Sequence, residues 1–155
     1  LQLIRADMRR LPFRHTFGAV LQLFTAFGYF QSDAENAAVL GEVRSTLQPG
    51  SWYMLDFLNA AEVVHSLQPH SEQTIQDTVI TQQRWIADNR VEKLITVRRL
   101  DRVSEFRESV RLFTVDDFRR MFPECGFTLE HVFGDYHGNP FEELSPRCLM
   151  FARAV

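Results

Sequence analysis

The segment Phe17-Gly18-Ala19-Val20-Leu21-Gln22-Leu23-Phe24, with Ser32-Asp33-Ala34-Glu35 and then Trp52-Tyr53-Met54-Leu55-Asp56-Phe57, decides the fold. The first piece is a nearly continuous apolar run, the pattern of a strand buried on both faces. Ser32 and Glu35 have the spacing of a capping box, in which each side chain satisfies a backbone N–H at a helix start. Val39, Leu40, Val43 and Leu47 then recur at helical spacing and give one apolar stripe. Pro49-Gly50 stops that helix. Trp52 to Phe57 reads as a second buried strand, with Asp56 near its end. Strand, helix and strand in this order argue for a parallel α/β sheet.

Upstream, Leu1 to Ala6 reads as a further strand ending at Asp7-Met8, and a polar link runs through Pro12. Downstream, a short apolar piece (Ala60 to Leu67) precedes a change of character. Residues from about Thr74 to Phe113 are rich in Ile, Val and Thr, with a turn signal at Ala87-Asp88-Asn89-Arg90, and read as an antiparallel strand meander. Thr114-Val115-Asp116-Asp117 opens a second capped helix carrying Phe118, Met121 and Phe122. Pro123 ends or kinks it and Gly126 marks its exit. Two strands close the chain, Thr128 to Phe133 and Cys148 to Ala154, joined by the polar segment Asp135 to Arg147.

Composition narrows the function classes. A chain of 155 residues with 45% hydrophobic and 24% charged residues suits one globular domain. The net charge is -3, from 17 Lys+Arg against 20 Asp+Glu, so there is no basic excess to neutralise phosphates and no nucleic acid is expected as partner. No apolar run approaches the ~18 residues a bilayer crossing needs, so no membrane is expected either. Cys125 and Cys148 lie in no C-x-x-C or Cys/His cluster, which suggests free thiols in a cytoplasmic protein. The five histidines show no metal-ligand spacing, and no metal site is expected.

In order and spacing, several motifs resemble the class I S-adenosylmethionine-dependent methyltransferases, in their small-molecule branch. Asp7-Met8-Arg9 followed by Leu11-Pro12-Phe13 is similar to that family's motif after its third strand. Phe17-Gly18-Ala19-Val20 with Phe24 and Phe27-Gly28-Tyr29-Phe30 resembles its fourth strand and the turn after it. Glu35-Asn36, Val39-Leu40 and Leu47-Gln48-Pro49-Gly50 resemble the helix leading into its fifth strand, which Leu55-Asp56 and Asn59 close. Gly134-Asp135-Tyr136, Gly138, Pro140-Phe141 and Ser145-Pro146-Arg147 resemble the tail of one branch. Two positions depart from the pattern. Gly18 stands where Asp is usual, and Ser51 replaces the second Gly after Pro49. No G-x-G-x-G loop occurs in the chain.

The resemblance implies a Rossmann-like methyltransferase sheet in its later portion, mostly parallel with a final antiparallel strand. An antiparallel meander over 74–113 is inserted into one domain spanning 1–155, as a lid or dimer element. It implies S-adenosylmethionine as cofactor and a small-molecule acceptor, with a homodimer possible. The glycine-rich loop and the acid that would hold the ribose belong upstream of Leu1, so the chain reads as truncated there, and little cofactor binding is expected from it alone. By resemblance Asp7 would accept from the adenine amino group, Met8 would pack on the ring, and Leu23 and Phe24 would line the methionine end.

Parallel sheets bind ligands beyond the carboxyl ends of their strands. Tyr29 is therefore a candidate catalytic residue, since its hydroxyl could reach an acceptor, whereas Phe24 and Phe30 also suit core packing. Asp56, Asn59 and Tyr136 are candidate substrate contacts, with loop capping the rival role for Asp56 and Asn59. His137 is the one histidine placed to act as a base, or it is a surface-loop residue. The alternative to an enzyme is a non-catalytic binding or assembly module on the same fold.

Overall fold

Both capping boxes form. The Ser32 hydroxyl accepts from the Glu35 N–H at 3.2 Å and the Glu35 carboxylate accepts from the Ser32 N–H at 3.3 Å. Thr114 and Asp117 repeat the exchange at 3.2 and 2.8 Å. The computed structural model describes residues 2–155. The elements run β1 (Phe17–Gln22), α1 (Asp33–Thr46), β2 (Leu47–Phe57), α2 (Ala60–Ser66), β3 (His70–Ile75), β4 (Thr78–Ala87), β5 (Arg90–Arg99), β6 (Arg102–Arg111), α3 (Val115–Glu124), β7 (Phe127–Phe133) and β8 (Cys148–Ala154).

Two sheets result, with strand orders β1-β2-β8-β7 and β3-β4-β5-β6. In the first, β1 and β2 are parallel, but β8 inserts antiparallel between β2 and β7. The expectation of a mostly parallel sheet is therefore corrected: two of its three pairings are antiparallel, and the sheet is mixed. The second sheet is wholly antiparallel and begins at His70, earlier than the Thr74 read from composition.

One face of the mixed sheet carries the core. Tyr53, Leu55 and Phe57 alternate along β2 and stand opposite Ala152, Met150 and Cys148 of β8. They are covered by Val39, Leu40 and Val43 of α1 and by Phe118 and Phe122 of α3. Aromatic edges lock the layer, with Phe57 at 5.2 Å from Phe118 and Tyr53 at 6.0 Å from Phe122, ring centre to ring centre. The opposite face is less protected. Leu21, Trp52, Met54 and Phe151 line an apolar hollow there, with His131 and Phe133.

Two further expectations are overturned. Residues 2–6 form no strand, because no neighbouring strand among the described residues accepts their backbone hydrogen bonds; the pairing nearby among these residues is an isolated bridge between Asp7 and Arg10. Leu1, the first residue of that expected strand, lies outside the described residues. β1 is not buried on both faces either. It is an edge strand with β2 as its partner, and Leu21 is 63% exposed.

Cys148 is buried under this core, and burial pushes its thiol up to about 12, against the pull of Arg147 and Arg119. A raised pKa stabilises the fold below the unfolded thiol value and loses that contribution as pH rises through the folded one. Unfolding free energy is therefore expected to fall as pH climbs from 9.0 toward 12. In Cys148→Ala, denaturant titrations across that range should give a flatter profile.

Candidate functional site at the carboxyl edge of the mixed sheet

Parallel pairing sets Gln22 opposite Leu55, so the carboxyl ends of β1 and β2 emerge side by side. Asp56 sits there at 0% exposure. Its Oδ2 accepts from the Phe24 N–H at 2.9 Å and from the Tyr136 hydroxyl at 2.6 Å. Its Oδ1 accepts from Arg147 Nε at 2.9 Å and also from Arg147 Nη2. The same Nη2 donates to Thr25 Oγ1 at 3.0 Å. A carboxyl group taken out of water loses its hydration, and these donors with the guanidinium replace it. Arg147 reaches it because β2 and β8 pair antiparallel with Phe57 opposite Cys148, which sets residue 147 just past the end of the ladder.

What Asp56 holds is an unusual turn. Phe24 and Thr25 have φ of 58° and 59°, the left-handed region that bulky and β-branched residues rarely enter, at about 1–3 kcal/mol each. The Asp56 carbonyl accepts from the Thr25 N–H at 3.0 Å, so backbone and side chain of one residue fix both strained positions. Further along, the Gln22 amide donates to the Ala26 carbonyl and is itself aimed by the Tyr53 hydroxyl at 2.7 Å. Buried Asn36 accepts from the Phe30 N–H at 3.2 Å and donates to the Phe30 carbonyl at 3.1 Å. From the antiparallel sheet, Arg90 donates to the carbonyls of Gly28 and Phe30 at 3.2 and 3.1 Å. The turn is bolted along its length.

Gly28 is required where the turn meets β6. Its φ is +87°, and a Cβ there would stand 3.2 Å from the Arg111 carbonyl and from Val110 Cγ1. Gly28→Ala is expected to destabilise the fold by about 1–3 kcal/mol, read from urea unfolding.

The candidate residues fall into groups around this turn. Phe24 is 78% exposed and Leu23 partly so. Phe24 is thus not a core residue, because the left-handed backbone turns its ring outward. Tyr29 is half-exposed beside Glu108, and its partial burial and that carboxylate raise its pKa, so its hydroxyl keeps its proton. Tyr136 joins the cluster through Asp56. Asp7 and Met8 line an open hollow of about 580 Å³ with Phe30. Arg9 binds both Asp7 carboxylate oxygens, at 3.2 Å through Nε and 2.9 Å through Nη2, which holds the carboxyl down at about 2. The Arg9 guanidinium stacks 4.3 Å over Phe30 and pairs with Glu35 at 2.6 Å.

Two candidates take other work. Asn59 caps α2 through the Ala61 N–H at 3.3 Å and donates to the carbonyls of Glu143 and Ser145 at 2.8 and 2.9 Å, so it braces the loop before β8. His137 is exposed, and its backbone N–H is the group that binds, donating to Asp135 Oδ1 at 2.9 Å. Sequence reasoning did not single out Arg147, Gln22, Asn36 or Arg90. Arg147 and Asn36 had a usable signal in the motifs Ser145-Pro146-Arg147 and Glu35-Asn36, the first of which sits where β8 begins beside the end of β2.

No protein-family model matches the chain, and no curated protein matches it in sequence. Solved structures do match in shape. An S-adenosylmethionine-dependent methyltransferase from Clostridium acetobutylicum ATCC 824 superposes with a TM-score of 0.86 at 12% identity, over 98% of this chain and 64% of that one. The CcbJ methyltransferase from Streptomyces caelestis gives 0.81 at 15%, over 97% and 66%. CalS10, an amino pentose methyltransferase from Micromonospora echinaspora, gives 0.66 at 21%, over 97% and 63%. The chain thus spans somewhat less than two thirds of the length of these structures. Its fold is that of the S-adenosylmethionine-dependent methyltransferases.

Proposed function

We propose that the protein transfers a methyl group from S-adenosylmethionine to a small-molecule acceptor at the carboxyl edge of β1 and β2. The observation that carries this reading is the strained Phe24–Thr25 turn, held by a buried carboxylate where sheets of this kind bind ligands. Structural likeness to sugar and glycopeptide methyltransferases supports a small acceptor.

The residues present fit one end of the cofactor. Asp7, Met8 and Phe30 bring a carboxylate, a thioether and a ring face to one hollow, the set that suits the edge and face of a planar heteroaromatic amine. Asp7 would accept from the adenine amino group, sharing its carboxylate with Arg9, while Leu23 and Phe24 would line the methionine end. When bound, the cofactor supplies an electrophilic methyl carbon on a sulfonium. The chain's own part is geometric. Phe24 and Tyr29 offer π faces to positive charge, and the fixed turn keeps them in place while the acceptor is aligned. Tyr29, still protonated, donates to the acceptor and orients it rather than serving as base. His137, held on the outer loop, has no part in this reading.

The remaining cofactor contacts call for a glycine-rich loop, which this chain does not contain. The exposed edge of β1 and the apolar hollow beside Leu21 offer surface on which such a segment would pack. The antiparallel sheet would wall the acceptor site; pairing through its free edge strands β3 and β6 is the rival use. No helix among the described residues is long and apolar enough to cross a membrane, and the free thiols of Cys125 and Cys148 suit the cytoplasm. The test is transfer of isotope-labelled methyl from S-adenosylmethionine to small amines and alcohols by the protein made from its complete reading frame. Labelled product is expected. A protein that binds neither cofactor nor product would instead be a non-catalytic module.

A further inference from the structure

A cavity of about 370 Å³ lies between α2 and the antiparallel sheet, apart from the Asp56 cluster. That volume suits a small ligand. No side chain of α2 is fully buried, so the helix roofs the space without filling it. Val63 of the helix and the opposed pair Val91 and Val110 of β5 and β6 supply its apolar walls.

Charge is divided along the cavity. At one end stands half-buried Arg84, whose guanidinium donates to Ser71 Oγ at 3.1 Å, to the Gln68 carbonyl at 3.5 Å and to the Gln82 side chain. All three acceptors are neutral, and Arg84 pairs with no carboxylate among the described residues. The acids lie at the other end. One rung of the sheet runs from Arg84 through Lys93 to Glu108, which puts Glu108 two strand spacings from Arg84, about 10 Å backbone to backbone. Lys93 turns away from Arg84 and bonds one oxygen of Glu108 at 3.2 Å. Glu62 sits in the first turn of α2, whereas Gln68, which touches Arg84, follows the helix, and about 9 Å of helix rise separates them. Glu62 accepts from the Ser66 hydroxyl at 2.5 Å and has no cationic partner among the described residues.

This division decides what fits. An ammonium group at the Arg84 end would meet a second cation, and a carboxylate at the Glu62 end would meet a second anion. A guanidinium with only neutral partners is matched by a carboxylate, whose two oxygens suit its fork. A carboxylate with oxygen lone pairs to spare is matched by a neutral hydroxyl, which donates without adding charge. We propose that the cavity binds a phenolic monocarboxylic acid, with its carboxylate on Arg84 and its hydroxyl donating to Glu62. The ring lies between Val63 and the paired valines, and a rigid para-substituted frame spans the two ends with few rotors to freeze. The inference rests on the cavity alone and not on methyl transfer.

Amide-shift titrations of the chain with para-hydroxyphenylpropionate test it. Phenylpropionate, para-ethylphenol and tyramine are the comparison arms; they lack the hydroxyl, lack the carboxylate, and carry an amine in its place. The hydroxy acid should shift the amides of residues 62–68, 84 and 91–93, and bind at least about tenfold tighter than each comparison compound. Arg84→Met should weaken it by about tenfold and leave para-ethylphenol unchanged. Glu62→Ala, on a helix that buries no side chain, is the second variant should the first disturb the sheet, which its own spectrum reports. It should erase the advantage over phenylpropionate. Shifts elsewhere, or none, overturn the proposal. So does tyramine binding as tightly as the acid, or a hydroxy acid no tighter than phenylpropionate. The titration needs neither cofactor nor turnover, so its failure leaves the methyl-transfer reading standing.

Discussion

Replacing Asp56 with alanine is expected to cost about 3–5 kcal/mol of stability and to abolish the methyl transfer proposed above. The cost follows from what would be stranded. Arg147 would keep its charge beside a hole, the Tyr136 hydroxyl would lose its acceptor, and the Phe24 N–H would be left unpaired at a strained position. Asp56→Asn separates charge from shape. Its side-chain oxygen can still accept from Phe24 or Tyr136, so a smaller loss is expected, centred on Arg147. Urea unfolding of both variants beside Arg147→Met would apportion the effect. A loss under about 1 kcal/mol in Asp56→Ala would mean that the cluster does not hold the turn.

Phe27→Ala is the second large effect. Phe27 is 1% exposed and is the fully buried ring of the turn, with centroids 5.6 Å from Phe113 and Phe118 and 6.1 Å from Phe57. Deleting a buried phenyl ring costs about 3–5 kcal/mol through lost transfer energy and the cavity it leaves. Against a typical total of about 5–15 kcal/mol, the variant should be marginally folded. Because Phe27 anchors the turn that carries Phe24 and Tyr29, transfer should fall further than the unfolded fraction explains. Activity measured below the thermal midpoint, scaled to the folded fraction, checks this. Phe27→Leu, which refills most of the volume, should restore much of both.

What could be read from the sequence divides by range. Ser32 with Glu35 and Thr114 with Asp117 act within one helical turn, so their spacing alone announces the caps. Tyr136 entered through the motif Gly134-Asp135-Tyr136, and the structure brings it to the site because β7 runs in the same direction as β1 and β2, which sends the chain after Phe133 to their edge. Arg147 and Asp56 are far apart in sequence, and their meeting depends on β8 inserting beside β2, for which no local pattern speaks. Apolar content misled at β1: Leu21 and Leu23 describe what a strand is able to bury, whereas their exposure depends on what lies against it. Phe24 shows the same limit from another side. An aromatic ring reads as core until the backbone angle that turns it outward is known. Asn59 and His137 were chosen for position; the Asn59 amide donates to the Glu143 and Ser145 carbonyls, and the His137 backbone N–H donates to the Asp135 carboxylate.

Where the cofactor lies decides between an enzyme and a non-catalytic module. Calorimetric titration of S-adenosylhomocysteine into the protein made from its complete reading frame, beside Met8→Ala and Phe24→Ala, measures it. Saturable binding that each substitution weakens by about tenfold, with unfolding midpoints unchanged, is the predicted result. Binding that ignores both substitutions, or no binding to the protein at all, would contradict it.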